Sequence, residues 1–407
     1  MLINNSFLNR IIAILYILFT LYLGLVNSVF SAYLGFGIPK LIAFSVALFL
    51  ISFAIFLCHT VLNKKTASSK TSRVVLLLLL LYFIQVVVIL SNKDLQGYSS
   101  GQVKNAIEFG FPIILLQVMY IYMGGVFFSE YAGRRKIIFD MFFLFYLVTF
   151  LYFGLDFVTL KLVYSEVKIE YLFVGDFTAI LFMIAFGSAE KKITKLVVFT
   201  IGLVFLFIIS SRSSFYIYIF AFTSYWTLRN IKFRQYQNLI AMFILAFLLL
   251  IFYDYIIANL VSNSDDYRIF RVFTGTDNSA QGRDIINQYG YDRILQSWFV
   301  GDFGGQLNAT LDEYGSRWGQ YIHNVFSVWR QFGLIAFVIY IIILLDVCYN
   351  TITDFFNSEE YSNQTVLILL CVFTVTSVLI SRAYIFTSIY FFIGYYLFYF
   401  NERRKLF

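Results

Sequence analysis

The chain has 407 residues, of which 60% are hydrophobic, 21% are aromatic and 13% are charged. A soluble globular domain is about half apolar and about a quarter charged, so this composition excludes an ordinary soluble globule. The net charge of +7 would suggest nucleic acid as the partner of a soluble protein, but in a membrane protein the charge is divided between the two sides of the bilayer. We therefore predict an all-α polytopic membrane protein with no nucleic-acid partner.

Apolar stretches of membrane length recur along the first half of the chain. They cover residues 11–30, 41–62, 74–90, 109–129, 137–154 and 171–187. Residues 1–10 contain one basic residue, and no small-residue cleavage pattern follows the first apolar stretch. That stretch is therefore predicted to be a retained span rather than a signal peptide.

The next apolar stretch, residues 196–228, is too long for one span. As a single helix it would measure about 50 Å, whereas the hydrocarbon core of a bilayer is about 30 Å thick. We predict two helices that turn at residues 211–214. Residues 239–258 and 325–348 follow as further spans, and residues 365–400 are predicted to form a second hairpin that turns at 381–384. The total is about twelve transmembrane helices.

Basic residues orient these spans. Lysine and arginine are concentrated in the short segments 64–73, 134–136, 191–195, 229–234 and 403–405. The positive-inside rule places these segments and both termini in the cytoplasm. Residues 261–322 then form a large outer loop, which we treat as a subdomain inserted into a single membrane domain of residues 1–407.

The outer loop has its own predicted structure. Residues 277–279 are typical of a helix start, and the helix is expected to end near residue 296. Behind it Gly301, Gly304 and Gly305 are expected to break regular structure.

Arginine rather than lysine marks the outer side of the later spans. Arg212 and Arg382 lie at the two predicted hairpin turns, and Arg283 lies near the start of the loop helix. The planar guanidinium group binds phosphate oxygens two at a time and keeps its charge when partly desolvated. We predict that Arg212 and Arg283 bind an anionic phosphate ligand, assisted by Arg330 or Arg382. The alternative for the arginines at span depth is snorkelling to lipid headgroups.

His323 is one of two histidines in the chain, and the other, His59, lies late in the second apolar stretch. On a continuous helix four side chains would share one polar stripe: His323, Ser327, Arg330 and Gln331. An imidazole titrates near neutral pH, which suits proton abstraction from a sugar hydroxyl. The alternative is a structural histidine that is hydrogen-bonded to the backbone.

Other reactive side chains give weaker signals. Asp176 and Asp254 are carboxylates at span depth, and either is a candidate to orient a catalytic partner or to relay protons. The outer side has one histidine and scattered carboxylates without ligand spacing, so neither a metal site nor a cofactor is predicted. The three cysteines lie within or at the end of apolar stretches and predict no disulfide framework.

Three elements of the second half resemble the O-antigen polymerase and ligase superfamily. In chain order they are Ser211-Arg212, Gly282-Arg283 with the glycine-rich turn behind it, and Tyr321-Ile322-His323-Asn324 running into Gly333. The resemblance covers residues 196–340 in detail. It implies a GT-C-like architecture in the bacterial inner membrane and metal-independent, inverting glycosyl transfer from oligosaccharides linked to undecaprenyl pyrophosphate.

The resemblance also implies roles for individual residues. His323, Arg283 and Arg212 are implied to be catalytic. Together with the arginines at span depth, these motifs lead us to predict six substrate-binding residues: Arg330, Arg382, Ser211, Asn324, Gly301 and Gly304. Membrane lipid, a chain-length regulator and a flippase are the implied partners.

The sequence favours a repeat-unit polymerase within this superfamily. Asn324 and Gly333 enclose eight residues, one fewer than expected in the ligase branch. A polysaccharide ligase and a lipid-linked oligosaccharide flippase remain the alternatives, although transporters tend to show repeated halves with interrupted helices, and this sequence shows no such repeat. The polymer is left open among O-antigen, capsule and exopolysaccharide.

Overall fold

The computed structural model describes residues 70–91, 171–209, 211–251, 278–305, 322–358 and 362–404, seven helical positions between 114 and 125, and two short strands. Nine helices lie within these long ranges: α1 Lys70–Ser91, α2 Tyr171–Ser188, α3 Lys192–Ile208, α4 Arg212–Lys232, α5 Tyr236–Ile251, α6 Asn278–Gln296, α7 Phe326–Asn357, α8 Ser362–Ile380 and α9 Ser388–Arg404. Strands β1 Leu155–Asp156 and β2 Lys161–Leu162 pair antiparallel. The spans predicted at 11–30, 41–62 and 137–154, together with Asp254 and both termini, lie outside the described residues.

Helix α8 lies at the centre of the described bundle. It packs against α2, α4, α7 and α9. Residues 364–371 of α8 are all buried, as expected of a helix that is surrounded by other helices on every side. Helix α7 instead presents an apolar face to the outside through Ile335, Val338, Ile342 and Leu345.

The composition of these helices is compatible with the predicted membrane protein. Two of the described helices, Phe326–Asn357 and Asn363–Ile380, are long and apolar enough to cross a membrane. Shorter apolar helices cover Val74–Val88, Val174–Ser188 and Ser388–Phe400.

Both predicted hairpins are confirmed. Helix α3 ends at Ile208 and α4 begins at Arg212, and the two helices pack against each other. Because α4 begins at Arg212, this residue opens the helix instead of lying inside the turn. Helix α8 ends at Ile380 and α9 begins at Ser388, with residues 381–387 between them.

The hairpin tips and the start of α7 lie at one end of the bundle, which we call the tip end. There the backbone N–H of Tyr384 donates to Ser327 Oγ at 2.8 Å. At the opposite end, Lys232 Nζ at the end of α4 donates to the carbonyl oxygen of Ser358, just after α7. The basic residues that end α4 therefore lie far from the arginines of the hairpin tips.

Helix α7 is interrupted at Gly333, where φ is 80° and ψ is 178°. The break frees backbone groups, and the turn that follows α6 supplies their partners. The N–H of Leu334 donates to the carbonyl oxygens of Trp298 and Phe299 at 3.1 and 3.2 Å, and the N–H of Asp302 donates to the carbonyl oxygen of Arg330 at 2.6 Å. These hydrogen bonds fix the end of α6 against α7.

Two glycines make this contact possible. Gly301 and Gly333 have φ values of +85° and +80°, in the left-handed region that glycine adopts without strain. A Cβ on Gly333 would lie 2.1 Å from the carbonyl oxygen of Phe299, and one on Gly301 would lie 2.5 Å from the nitrogen of Gly333. The predicted loop helix and the break of regular structure behind it are thus confirmed.

Candidate functional site

Arg382 and Asp176 form a buried ion pair at the tip end. Arg382 Nε donates to Asp176 Oδ2 at 2.7 Å, and Nη2 donates to Oδ1 at 2.6 Å. The two side chains are 1% and 5% exposed. Arg382 belongs to the tip between α8 and α9, whereas Asp176 lies in α2, so the pair joins parts of the chain that are 206 positions apart.

Serines at the start of α4 complete this ion pair. Arg382 Nη1 donates to Ser213 Oγ at 2.7 Å, and Nη2 donates to Ser214 Oγ at 2.9 Å. Ser214 Oγ in turn donates to Asp176 Oδ1 at 2.8 Å, and Ser211 Oγ lies 2.7 Å from Ser214 Oγ. A buried ion pair stabilises a fold only when such additional hydrogen bonds offset the loss of hydration. We call these five residues the ion-pair cluster.

Arg382, predicted to assist at a phosphate ligand, has protein partners at each nitrogen of its guanidinium group. The second N–H of Nη1 points to the carbonyl oxygen and Oγ of Ser381, at 3.2 and 3.3 Å. A guanidinium group has five N–H donors, so the protein itself uses all of them. Asp176, predicted to orient a catalytic partner or to relay protons, holds Arg382.

Arg212 is placed by the same cluster. It is the first residue of α4 and only 6% exposed, and it stands in the chain between Ser211 and Ser213. Helix α2 approaches closely here, because a Cβ on Gly175 would lie 2.5 Å from Ser211 Oγ. Arg212 adds a guanidinium group to the N-terminus of a 21-residue helix, where free N–H groups and the helix dipole also favour an anion.

A second cluster lies where α6 packs against the start of α7. The guanidinium carbon of Arg330 lies 5.6 Å from the centre of the Tyr289 ring, and that of Arg293 lies 5.1 Å from the same centre. Arg293 also donates to Tyr289 Oη through Nε at 3.0 Å and Nη2 at 2.8 Å. Two guanidinium groups therefore meet at one aromatic ring, which attracts cations through the negative charge of its face. We call Tyr289, Arg293 and Arg330 the tyrosine cluster.

The predicted polar stripe of α7 needs correction. The helix begins at Phe326, so His323 precedes it in a bend and is half-buried. Ser327 accepts the N–H of Tyr384, whereas Gln331 Oε1 accepts the N–H of Gly304 at 2.9 Å. The side chains predicted to share one face thus serve different neighbours.

Asn324 shapes the segment that carries His323. Its Oδ1 accepts the N–H of Phe326 at 3.0 Å, and its Nδ2 donates to Tyr291 Oη of α6 at 2.9 Å. A side chain of this kind closes a local turn and fixes the chain ahead of a helix. Asn324 therefore links the bend of His323 to the helix that carries Arg283, which is half-buried near the start of α6.

The residues predicted to bind substrate thus fall into three groups. Ser211 and Arg382 lie in the ion-pair cluster, and Arg330 lies in the tyrosine cluster. Gly301 and Gly304 contact α7, while Asn324 binds Phe326 and Tyr291. The tip at 381–387 connects the two clusters, since Arg382 contacts α2 and α4 while the N–H of Tyr384 binds Ser327 of α7. Direct binding of substrate by these residues, and the meeting of Arg212, Arg283 and His323 around one ligand, stay predictions.

Sequence reasoning assigned no functional role to several residues of these clusters. Tyr289 and Arg293 are four positions apart on α6, which is the spacing of side chains that touch on a helix. That spacing was a usable signal. Ser213 and Ser214 have no comparable signal, because their role depends on Asp176 and Arg382, which belong to other helices and turns.

No protein-family model matches the sequence, and no curated protein matches it. The functional argument therefore depends on the two clusters and on the three short motifs of the second half.

Proposed function

We propose that this chain is a membrane glycosyltransferase that polymerises oligosaccharide repeat units carried on undecaprenyl pyrophosphate into a surface polysaccharide. The observation that supports this most is the collection of arginines at the tip end of an apolar helical bundle, with His323 shortly before Arg330 in the chain. Arg212 and Arg330 are both buried there. Charged side chains buried among apolar helices are rare and commonly belong to functional sites.

The proposal includes the arrangement of the whole chain. About twelve spans with GT-C-like architecture cross the bacterial inner membrane, both termini are cytoplasmic, and the tip end faces outward. The apolar helices α7 and α8 support a membrane location. The basic residues at the end of α4, opposite the tip end, agree with the positive-inside rule.

The reaction follows from the chemistry of the donor. The bond between the anomeric carbon and the pyrophosphate oxygen breaks, and a hydroxyl of the acceptor forms the new glycosidic bond from the opposite face with inversion. Arg212 and Arg283 stabilise the negative charge that develops on the leaving pyrophosphate, with Arg330 assisting. His323 accepts the proton of the attacking hydroxyl. These steps need no metal ion.

Arg382 has a positioning role in this proposal. Its guanidinium group holds the side chains of Ser213 and Ser214, which follow Arg212 directly in the chain. The ion-pair cluster therefore fixes the first turn of α4 and, with it, the position of the Arg212 guanidinium group.

The test is an assay of the full chain in lipid nanodiscs with lipid-linked repeat units as the sole sugar substrate. A polymerase produces a ladder of lipid-linked oligomers. No product until a second acceptor is supplied would identify the ligase alternative, and movement of the substrate across vesicles without new bonds would identify the flippase alternative. Either result overturns the proposal.

Variants test the residue roles in the same assay. Because a positioned general base contributes about 10²- to 10⁴-fold, His323→Ala should lower the rate by that factor, whereas His59→Ala should not. Arg212→Gln and Arg283→Gln should also lower the rate, with Arg234→Gln as a matched control because Arg234 is exposed just after α4. If His323→Ala produced nearly the same ladder of lipid-linked oligomers as the native chain, His323 would not be the general base.

A further inference from the structure

Three large apolar side chains stand out from the surface directly behind α6. Trp298, Phe299 and Val300 are 53%, 52% and 56% exposed. Scattered apolar residues on a surface are ordinary, but a contiguous group of this size marks a contact with another molecule or with a membrane. We call residues 298–300 the apolar tip.

The backbone of the apolar tip is firmly held. The carbonyl oxygens of Trp298 and Phe299 accept the N–H of Leu334. The carbonyl oxygen of Trp298 also accepts a hydrogen bond from Trp329 Nε1 at 2.7 Å. On the other side, Gln85 Nε2 of α1 donates to the carbonyl oxygen of Val300 at 2.9 Å. The tip is therefore fixed between α1 and α7.

The surroundings of the apolar tip are apolar as well. Leu334 is followed by the outward-facing residues of α7: Ile335, Val338, Ile342 and Leu345. Gln85 is flanked by the outward-facing residues of α1: Phe83, Ile84, Val87 and Val88. The tip thus extends an apolar surface that belongs to a helix long enough to cross a membrane.

Hydrogen bonding of the tip also suits contact with hydrocarbon. In lipid, backbone outside regular helices is tolerated only where its polar groups find partners within the protein. All three carbonyl oxygens of the tip accept hydrogen bonds, and the N–H of Gly301 donates to the carbonyl oxygen of Ser297 at 2.8 Å. The carbonyl oxygens of the tip are thus bound by α1 and α7, while its apolar side chains are exposed.

We propose that the apolar tip inserts into the hydrocarbon of the membrane leaflet that surrounds the tip end, with phospholipid acyl chains as its partner. The outer loop is then anchored in lipid at residues 298–300 and is not wholly in water. Trp298 is suited to the boundary of the leaflet, where indole rings are enriched. This inference depends on a membrane location but not on the proposed reaction.

Nitroxide accessibility in vesicles tests the proposal directly. The background is the full chain with Ala at Cys58, Cys348 and Cys371, checked for folding by size-exclusion chromatography. Phe299→Cys and Val300→Cys carry the spin label in separate variants. Gln288→Cys and Gln296→Cys are matched controls, because both residues lie on α6 and are exposed. The measured quantity is the relaxation enhancement by oxygen, which concentrates in lipid, relative to that by a water-soluble nickel chelate.

Lipid insertion predicts an oxygen-to-nickel ratio several-fold higher at 299 and 300 than at 288 and 296. Equal ratios would place the tip in water and overturn the proposal. Low accessibility to both reagents at 299 and 300 would show that protein covers the tip, and this would overturn it too. If the cysteine-free background fails to fold, quenching of Trp298 fluorescence by brominated phospholipids in the native chain decides whether the tip lies in lipid. Comparison with Trp298→Phe identifies the part of the fluorescence that comes from Trp298.

Discussion

Arg382 and Arg330 are the same residue type, lie at the same end of the bundle and are both fully buried. Their surroundings differ. Arg382 binds Asp176 and serines, and its hydrogen bonds join α2, α4 and the tip between α8 and α9. Arg330 lies against the ring of Tyr289, which it shares with Arg293. A guanidinium group that faces a carboxylate fixes helices together, whereas two guanidinium groups at one ring concentrate positive charge. Burial alone therefore does not reveal the role of an arginine, because its partners decide the role.

The largest effect should come from breaking the ion pair. Asp176→Ala leaves the guanidinium group of Arg382 buried without its carboxylate, and removing one partner of a buried pair costs about 3–5 kcal/mol. We expect the free energy of unfolding in detergent to fall by that amount. Asp284→Ala is the matched control, because Asp284 is exposed on α6 and should change stability little.

A double variant sharpens this prediction. With Arg382→Leu added to Asp176→Ala, no unpaired charge remains, so the double variant should be more stable than Asp176→Ala alone. A double variant as unstable as the sum of its two single variants would show that the two side chains do not act as a pair.

Within the tyrosine cluster, Arg330 should respond more strongly in activity than in stability. Under the proposed function, Arg330→Gln removes a charge that stabilises the leaving pyrophosphate, and such a loss lowers the rate by about 10²- to 10³-fold. The measurement is the polymerisation rate divided by the amount of folded protein. Arg382→Gln, measured in parallel, should lose mainly folded protein. Equal losses of stability in the two variants would end the distinction between the clusters.

The next effect concerns the contact that fixes α6 to α7. Gly333→Ala introduces a Cβ 2.1 Å from the carbonyl oxygen of Phe299 at a φ of +80°, and strained backbone of this kind costs about 1–3 kcal/mol. Gly290→Ala is a suitable control, because its Cβ would meet side-chain atoms, Cδ1 and Cγ1 of Ile322, and no backbone atom as close. Thermal unfolding of both variants should show the larger loss for Gly333→Ala. A larger loss for Gly290→Ala would contradict the rigid packing of the apolar tip.

The two hairpins were predictable from the sequence because helix length is set by membrane thickness. Residues 196–228 exceed one span, and Ser211-Arg212 is a poor sequence for the centre of one. The pairing of Arg382 with Asp176 was not predictable, although both residues were singled out, because it depends on which helices pack together. A charged residue at span depth requires a partner, and that rule would have suggested a search for the pair.

The break of α7 at Gly333 could not be predicted from the sequence either. A single glycine in an apolar stretch is compatible with a continuous helix, and the groups that replace the lost hydrogen bonds lie near Trp298, on the preceding element. The loop helix itself was predictable, since residues 277–279 provide start signals and Gly301 a stop.

The smallest effect should come from the hydroxyl of Tyr289. Tyr289→Phe removes the oxygen that accepts from Nε and Nη2 of Arg293 but keeps the ring beneath Arg330. Because Tyr289 is only half-buried, we expect a loss of about 1 kcal/mol in the free energy of unfolding, typical of one net hydrogen bond.

Tyr289→Leu separates the ring from the hydroxyl. It removes the cation–ring contact as well, which is worth about 0.5–2 kcal/mol, so it should lose more than Tyr289→Phe in chemical denaturation. The excess should shrink in a background that also carries Arg330→Gln, because the ring then holds Arg293 but no longer Arg330. An excess that persists unchanged in that background would mean that the ring of Tyr289 stabilises α6 by apolar packing. The contact between Arg330 and the ring would then contribute nothing to stability.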